Sequence, residues 1–188
     1  QLKEKQKATF VQLNGKRPTA NVFAFAGYWK HSSPQYKKLV AGLLLFALFN
    51  SSDVFLLLKM KESGLTDTSV IGVYIFYNLI FALLAYPIGI LADKLGLKKI
   101  FIAGLFIFCL VYIGFAFNNN LIIFLLLFFM YGVYAAATEG ISKAWISNIV
   151  DKSETATAIG TYSGFQRLCA LLACSLGGLL WSNFGYRV

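Results

Sequence analysis

Charged residues are scarce in this chain, at 13% of 188 residues, whereas hydrophobic residues make up 58%. The mean hydropathy is +0.67. An ordinary soluble domain has about a quarter of its residues charged, so this composition excludes that class. The composition is that of a membrane protein.

Cysteine and histidine are also few, which limits the possible sites. Cys169 and Cys174 are five residues apart and point to different helix faces, and Cys109 lies alone in another apolar run. Neither a metal site nor a disulfide framework is indicated. His31 has no partner in the sequence pattern and is interpreted as a solvated side chain. Metalloprotease, serine-hydrolase and phosphate-loop motifs are absent, so the sequence predicts no enzyme and no cofactor.

Long apolar runs dominate the rest of the chain. Each has about the 20 residues that a helix needs to cross a bilayer. They are apolar at both odd and even positions, unlike the alternating strands of a membrane barrel. The sequence therefore predicts an all-α integral membrane protein with five transmembrane helices. The predicted spans are 38–58, 70–92, 100–117, 121–147 and 156–181.

Basic residues predict the orientation of these helices. They are concentrated before residue 39 and near the turns at Lys99, Lys143 and Lys152, and few fall opposite. By the positive-inside rule, the amino-terminal segment lies in the cytoplasm. The net charge of +9 is then topological and does not indicate nucleic-acid binding.

The chain divides into two parts of different composition. Residues 1–36 are basic and end in aromatic residues, which is typical of a cytoplasmic segment lying against lipid headgroups. Residues 37–188 form the predicted transmembrane bundle. No signal-peptide pattern occurs in the first part.

A charged turn separates the second and third apolar runs, with the sequence Gly-Ile-Leu-Ala-Asp-Lys-Leu-Gly-Leu-Lys-Lys from Gly89 to Lys99. Asp93 is expected to satisfy free amide groups at the start of the third span, and Gly96 to adopt a backbone shape that a side chain resists. The turn resembles the signature loop of the major facilitator superfamily. Leu97 stands where the family usually has a basic residue. The residues that fit the motif in register are Gly89, Asp93, Lys94, Gly96 and Lys98.

The resemblance implies a transporter of twelve helices in two halves that rock around a central site. The basic segment resembles the linker between the halves, so we expect the carboxy-terminal half, from the linker to the eleventh helix. Its expected partners are the bilayer, an amino-terminal half and last helix of the same polypeptide, a small-molecule substrate and protons. In the family, the first, second, fourth and fifth helices of a half line the cavity. The signature loop acts as a cytoplasmic latch.

Charges inside the predicted spans are the main candidates for function, since each costs about 3 kcal/mol unless it is paired or hydrated. Asp53 lies three residues after Asn50, which places both on one helix face. Arg167 follows Gln166 in the fifth span, and Glu139 lies in the fourth at a similar predicted depth. We therefore expect Glu139 and Arg167 to be able to form an ion pair.

Each candidate has a structural interpretation beside the functional one. Asp53 either braces helices near the outer boundary or carries a substrate or proton. Glu139 with Arg167 forms a structural or gating pair or else a substrate site, and Tyr74 with Asn78 either packs or binds. Small residues at helical spacing predict close packing of the fourth and fifth spans. These are Gly132, Ala136, Gly140, Gly160 and Gly164.

The expected function is secondary active transport of a small solute by alternating access, without nucleotide hydrolysis. Proton coupling is a hypothesis that rests on Asp53 and Glu139 as the carboxylates inside spans, and export of organic or drug-like compounds is one expected form. The bacterial inner membrane is the expected location. A passive facilitator and a non-transporting scaffold or sensor are the alternatives.

Overall fold

A computed structural model describes residues 24–50 and 53–184, so the basic segment 1–23 lies outside the described residues. The described residues contain no strand, and the predicted all-α fold is confirmed. Their helices are α1 (Ala24–His31), α2 (Pro34–Phe49), α3 (Asp53–Glu62), α4 (Asp67–Leu95), α5 (Leu97–Phe117), α6 (Leu121–Ile149) and α7 (Thr155–Phe184).

Four stretches are long and apolar enough to cross a membrane. They are Pro34–Glu62, which contains α2 and α3, and the helices α4, α5 and α6. Helix α7 has 30 residues, a length of about 45 Å, but it is less apolar because its polar pair Gln166 and Arg167 lies near its middle. The chain is therefore a multi-pass membrane protein.

Polar caps begin the helices before the apolar runs start. Ser33 Oγ accepts a hydrogen bond from the Tyr36 amide at 3.2 Å, and Asn120 Oδ1 accepts one from the Ile122 amide at 2.9 Å. Thr66 caps α4 in the same way. A helix can continue beyond its apolar stretch wherever its end amides find such partners. The second span accordingly extends over Asp67–Leu95, beyond the predicted 70–92.

The first span is not the continuous helix that the sequence predicts for 38–58. Helix α2 ends at Phe49, Asn50 has an extended backbone with φ −84° and ψ 93°, and α3 begins at Asp53. The polar run Asn-Ser-Ser-Asp offers side-chain groups that compete with helical hydrogen bonds, and this favours a helix end. The interruption lies 16 helical residues into the span, about 24 Å from its start.

Helix α6 lies at the centre of the bundle and packs on α4 and α5, and less extensively on α2 and α7. Small residues permit its closest approaches. A methyl group at Gly132 would lie 2.8 Å from Ile80 Cγ2 and 3.2 Å from the Tyr77 carbonyl oxygen of α4. A methyl group at Gly104 of α5 would lie 3.0 Å from Ala137 Cβ. The backbones of these helices are therefore nearly in contact.

The signature turn is shorter than expected. Helix α4 continues to Leu95 and α5 begins at Leu97, so Gly96 alone connects them, with φ 99°. The positive φ agrees with the expected role of glycine there. The expected cap is wrong, because α5 has no side-chain cap hydrogen bond and Asp93 lies in the last turn of α4. Leu97 packs against a buried cluster, a contact that a basic side chain would not favour there.

Candidate functional site

A polar cavity of about 80 Å³ lies among the helices at the level of the interrupted first span. Helices α2, α3, α4, α6 and α7 contribute polar or tyrosine side chains to it, and Phe101 comes from α5. Its polar and tyrosine lining residues are Asn50, Asp53, Tyr77, Tyr131, Tyr134, Thr138, Glu139, Ser142, Tyr162 and Gln166.

Asp53 is held at the start of α3 by a tyrosine of α6. The Tyr131 hydroxyl donates to Asp53 Oδ1 at 2.6 Å, a short hydrogen bond typical of a charged acceptor. Within the described part of the chain, no basic side chain forms an ion pair with this carboxylate. The cavity therefore presents a half-buried carboxylate that is hydrogen-bonded to a tyrosine and has no counter-ion among the described residues.

Asn50 lies beside it, at the end of α2. Its Nδ2 donates to the Tyr134 hydroxyl oxygen at 3.0 Å, which fixes the amide. Its Oδ1 is buried and has no hydrogen-bond partner. The expectation that Asn50 and Asp53 share one helix face is wrong, because α2 ends at Phe49 and Asn50 has an extended backbone. The interruption nevertheless places both in the cavity lining.

Three tyrosine rings form one wall. The centroids of Tyr77 and Tyr131 are 5.2 Å apart, and those of Tyr131 and Tyr134 are also 5.2 Å apart. All three tyrosines are buried. Tyr131 and Tyr134 share a face of α6 because they are three residues apart, and Tyr77 comes from α4.

Glu139 and Gln166 form another level of the cavity. Glu139 follows Tyr131 by eight residues on α6, about 12 Å along the helix axis from the level at which Tyr131 holds Asp53. Glu139 lines the cavity and is exposed. The cavity therefore carries one carboxylate at each of two levels.

Glu139 and Arg167 do not form the expected ion pair. Among the described residues, an ion pair forms elsewhere, between Lys61 Nζ and Asp67 Oδ1 at 3.0 Å. Arg167 and Lys143 are close enough to act electrostatically on Glu139 without direct contact. The similar depth predicted for Glu139 and Arg167 concerns their positions along the helix axes. It does not fix the rotation of α6 and α7 about those axes.

Other predicted residues lie away from the cavity. Tyr74 and Asn78 are exposed on α4, and Asn78 Nδ2 donates to the Tyr74 carbonyl oxygen at 2.8 Å. Arg167 is exposed and does not line the cavity. The α4 residue that does line it is Tyr77, which sequence reasoning missed.

The small-residue ladder is in contact over only part of its length. Gly132 packs tightly on α4, and Ala136 is buried. A methyl group at Gly140, Gly160 or Gly164 would meet no neighbouring atom within 4 Å. The expected close packing of the fourth and fifth spans through these glycines is therefore not made in this structure.

Several of these small residues line a second opening instead. A groove of about 280 Å³ lies between α4 and α6, and its lining includes Gly89 and Asp93 from the signature turn and Ala136 and Gly140 from α6. The exposed side chains of Lys94 and Lys98 lie in the same turn. The groove joins the motif residues to the open part of the ladder.

The family model described as the Major Facilitator Superfamily matches residues 39–188. The chain belongs to the major facilitator superfamily. An uncharacterised MFS-type transporter from Methanocaldococcus jannaschii is 31% identical over 170 residues. That match covers 87% of this chain and 43% of the relative, so the chain spans less than half of the length of the relative it matches.

In this superfamily member, the cavity is rich in hydrogen-bond acceptors. Thr138 and Ser142 donate their hydroxyl protons to carbonyl oxygens of their own helix, at 2.9 and 2.6 Å. Tyr131 donates to Asp53. The lining thus combines two carboxylates with buried tyrosine rings, the polar groups of Tyr162 and Gln166, and a buried amide oxygen that has no partner among the described residues. This arrangement is suited to binding a solute by donors or positive charge.

Proposed function

We propose that the chain is the carboxy-terminal part of a secondary active transporter that moves a small solute by alternating access. The observation that carries the proposal is the polar cavity at mid-span, where the interrupted first span places Asp53 and Asn50. Irregular backbone and a charge at this depth are costly in a bilayer, and they are tolerated where they line a hydrated pathway.

Proton coupling is the second part of the proposal. Asp53 lacks a counter-ion among the described residues, so it can remain in the membrane interior by taking up a proton or a positively charged partner. A carboxylate that alternates between these states links proton movement to solute movement. The proposed form is an exporter of organic compounds in a cell membrane, with the amino-terminal segment in the cytoplasm.

The signature turn is proposed to act as the latch of the cytoplasmic side. Gly89 and Asp93 line the groove between α4 and α6, and Lys94 and Lys98 are exposed beside it. A helix end of another part of the transporter can close on this surface when the cytoplasmic side shuts. Gly96 keeps α4 and α5 joined by a single residue, so the turn moves with both helices.

The test uses the complete transporter in proteoliposomes, with a panel of organic solutes and with or without an imposed proton gradient. We expect a solute to accumulate against its gradient only when protons flow, because the proton gradient supplies the free energy. Flux that only equilibrates would replace this proposal with a passive facilitator. Absence of flux for every compound, with water-inaccessible cavity positions in labelling experiments, would favour a scaffold or sensor.

Asp53→Asn is the decisive variant. It keeps the shape of the side chain and removes its charge, so we expect gradient-driven transport to fall by at least tenfold and its pH dependence to flatten. Asp67→Asn is the matched control, since Asp67 is exposed and pairs with Lys61 away from the cavity. Unchanged transport and pH dependence in Asp53→Asn would remove Asp53 from the coupling role.

A further inference from the structure

We propose that the cavity selects organic cations, with the Asp53 carboxylate as counter-ion and the tyrosine rings as the wall against which the cationic group lies. This inference deepens the proposed function, because it takes the cavity as the substrate site. It names a substrate class that the family membership does not supply, since the fold hosts many cargoes.

The charge of the cavity lining favours a bound cation. Among the described residues, two carboxylates, Asp53 and Glu139, line the cavity, and no lysine, arginine or histidine does. Lys143 and Arg167 act on Glu139 from outside the lining. Asp53 has no ion pair among the described residues. A bound anion would face uncompensated negative charge, whereas a bound cation compensates Asp53 where the surroundings screen charge weakly.

The hydrogen-bond acceptors of the cavity also favour a cation. Asn50 Oδ1 is buried without a hydrogen-bond donor among the described residues, an arrangement that is unfavourable until a donor reaches it. Asp53 Oδ1 accepts a hydrogen bond from the Tyr131 hydroxyl. An ammonium ligand with N–H groups can donate to these oxygens. A neutral polyol would supply donors too, but it would leave the carboxylate charge uncompensated.

The aromatic wall of the cavity is suited to contact with a cationic group. The rings of Tyr77, Tyr131 and Tyr134 are spaced at 5.2 Å along one side of the cavity, and Phe46 and Phe101 also line it. Aromatic faces attract cations through their negative quadrupole, most effectively where water is excluded. Aromatic faces beside an unpaired carboxylate favour a soft organic cation over a strongly hydrated metal ion, which would require several oxygen ligands.

The size of the cavity limits what this part of the chain holds. About 80 Å³ accommodates a substituted ammonium group but not a large multi-ring molecule. Because Glu139 belongs to the lining and is also exposed, the remainder of a larger ligand can extend outwards past it. The inference therefore concerns the cationic group and leaves the rest of the ligand to the other surfaces of the transporter.

The test compares choline, whose trimethylammonium group is small enough for the cavity, with 3,3-dimethyl-1-butanol, which has the same shape and no charge. Binding of each to the purified complete transporter is measured by equilibrium dialysis, with protein-free detergent micelles subtracted. We expect choline to bind at least tenfold more tightly than the alcohol. Equal affinities, or a preference for the alcohol, would overturn the inference.

Variants assign the charge selectivity to the cavity. Asp53→Asn should weaken choline binding at least tenfold and leave binding of the alcohol unchanged, whereas Asp67→Asn should alter neither. An unaltered preference in Asp53→Asn would contradict the inference. If Asp53→Asn does not fold, Tyr77→Leu removes one aromatic ring, and a loss of choline affinity of about threefold or more is expected; no loss would contradict the role of the wall.

Failure of this inference can be distinguished from failure of the proposed function, because the dialysis experiment needs neither a gradient nor flux. Cation-selective binding without gradient-driven accumulation would keep the inference and remove proton-coupled transport. Gradient-driven accumulation of a solute together with equal binding of choline and the alcohol would keep the transporter and remove the cation site.

Discussion

Tyrosine hydroxyl groups within the spans have different partners, and the difference matters energetically. The Tyr131 hydroxyl donates to the carboxylate of Asp53 at 2.6 Å, whereas the buried Tyr36 hydroxyl donates to the neutral carbonyl oxygen of Ala158 at 2.8 Å. A hydrogen bond to a charged group contributes about 1.5 to 3 kcal/mol and a neutral one about 1 kcal/mol. The first contact positions the proposed counter-ion, and the second fixes α2 to α7.

Replacing either tyrosine with phenylalanine removes the hydroxyl and keeps the ring. We expect Tyr131→Phe to lower the free energy of unfolding by about 2 kcal/mol and Tyr36→Phe by about 1 kcal/mol. The measurement is thermal unfolding of the purified complete protein in one detergent. A larger loss in Tyr36→Phe than in Tyr131→Phe would argue against a charged Asp53 in the resting protein.

The sequence indicates four polar residues of the cavity and misses its tyrosines, for a physical reason. Asn50, Asp53, Glu139 and Gln166 stand out because a polar or charged side chain in an apolar run is costly and needs an explanation. A tyrosine has a large apolar ring that fits a membrane helix without cost, so its role depends on which neighbour its hydroxyl reaches. Only the packing of α4 on α6 makes Tyr77 part of the site.

At the scale of helices, glycine positions decide how closely α6 packs on its neighbours. The methyl group that alanine would add at Gly132 has no room between Ile80 and the backbone of Tyr77. The glycine at position 72, on the exposed side of α4, has no neighbouring atom within 4 Å of an added methyl group. Alanine substitutions at these two positions therefore distinguish the effect of helix packing from the effect of helix propensity.

Gly132→Ala should destabilise the protein by about 1 to 3 kcal/mol, because α4 and α6 must separate to accept the added methyl group. Gly72→Ala should be neutral or slightly stabilising, since alanine favours helix and meets nothing there. Thermal unfolding of both variants in the same detergent provides the comparison. Equal stabilities would show that the close approach of α4 and α6 is not required.

Helix positions are predictable from this sequence, and helix interruptions are not. The length of an apolar run predicts where a span lies, and the polar caps at Ser33, Thr66 and Asn120 explain why helices continue a few residues further. The end of α2 at Asn50 depends on a balance between local polar groups and helical hydrogen bonds, which hydrophobic periodicity does not register. The one-residue connection at Gly96 likewise depends on backbone conformation.

At the scale of the whole molecule, polar and charged groups gather at the two ends of the bundle. One end carries the Lys61–Asp67 ion pair and the turn near Asn119, where Ser63 donates to Asn119 Oδ1 at 3.1 Å. The opposite end carries α1, the signature turn and the turn at Ser153. There the ring centroids of Trp29 and Phe165 are 5.6 Å apart. Trp29, one of the aromatic residues predicted to lie against lipid headgroups, therefore contacts α7 of the protein itself.

Cysteine labelling tests the orientation that the basic residues predict. Asn119 and Ser153 are both exposed, one in each end turn. In intact cells that produce the complete protein, a membrane-impermeant maleimide should label Asn119→Cys and leave Ser153→Cys unlabelled above the level of the parent protein. Permeabilised cells should label both. Labelling of Ser153→Cys alone in intact cells would reverse the orientation.

The interruption of the first span has a mechanical consequence. Helix α2 packs mainly on α7 and α6, whereas the most extensive contact of α3 is with α4. The two segments therefore follow different neighbours when the bundle changes shape. A shift of α4 relative to α7 then changes the separation of Asn50 and Asp53. In the proposed transporter, ligand binding and helix movement are thus coupled at these two residues, without a relay through distant parts of the chain.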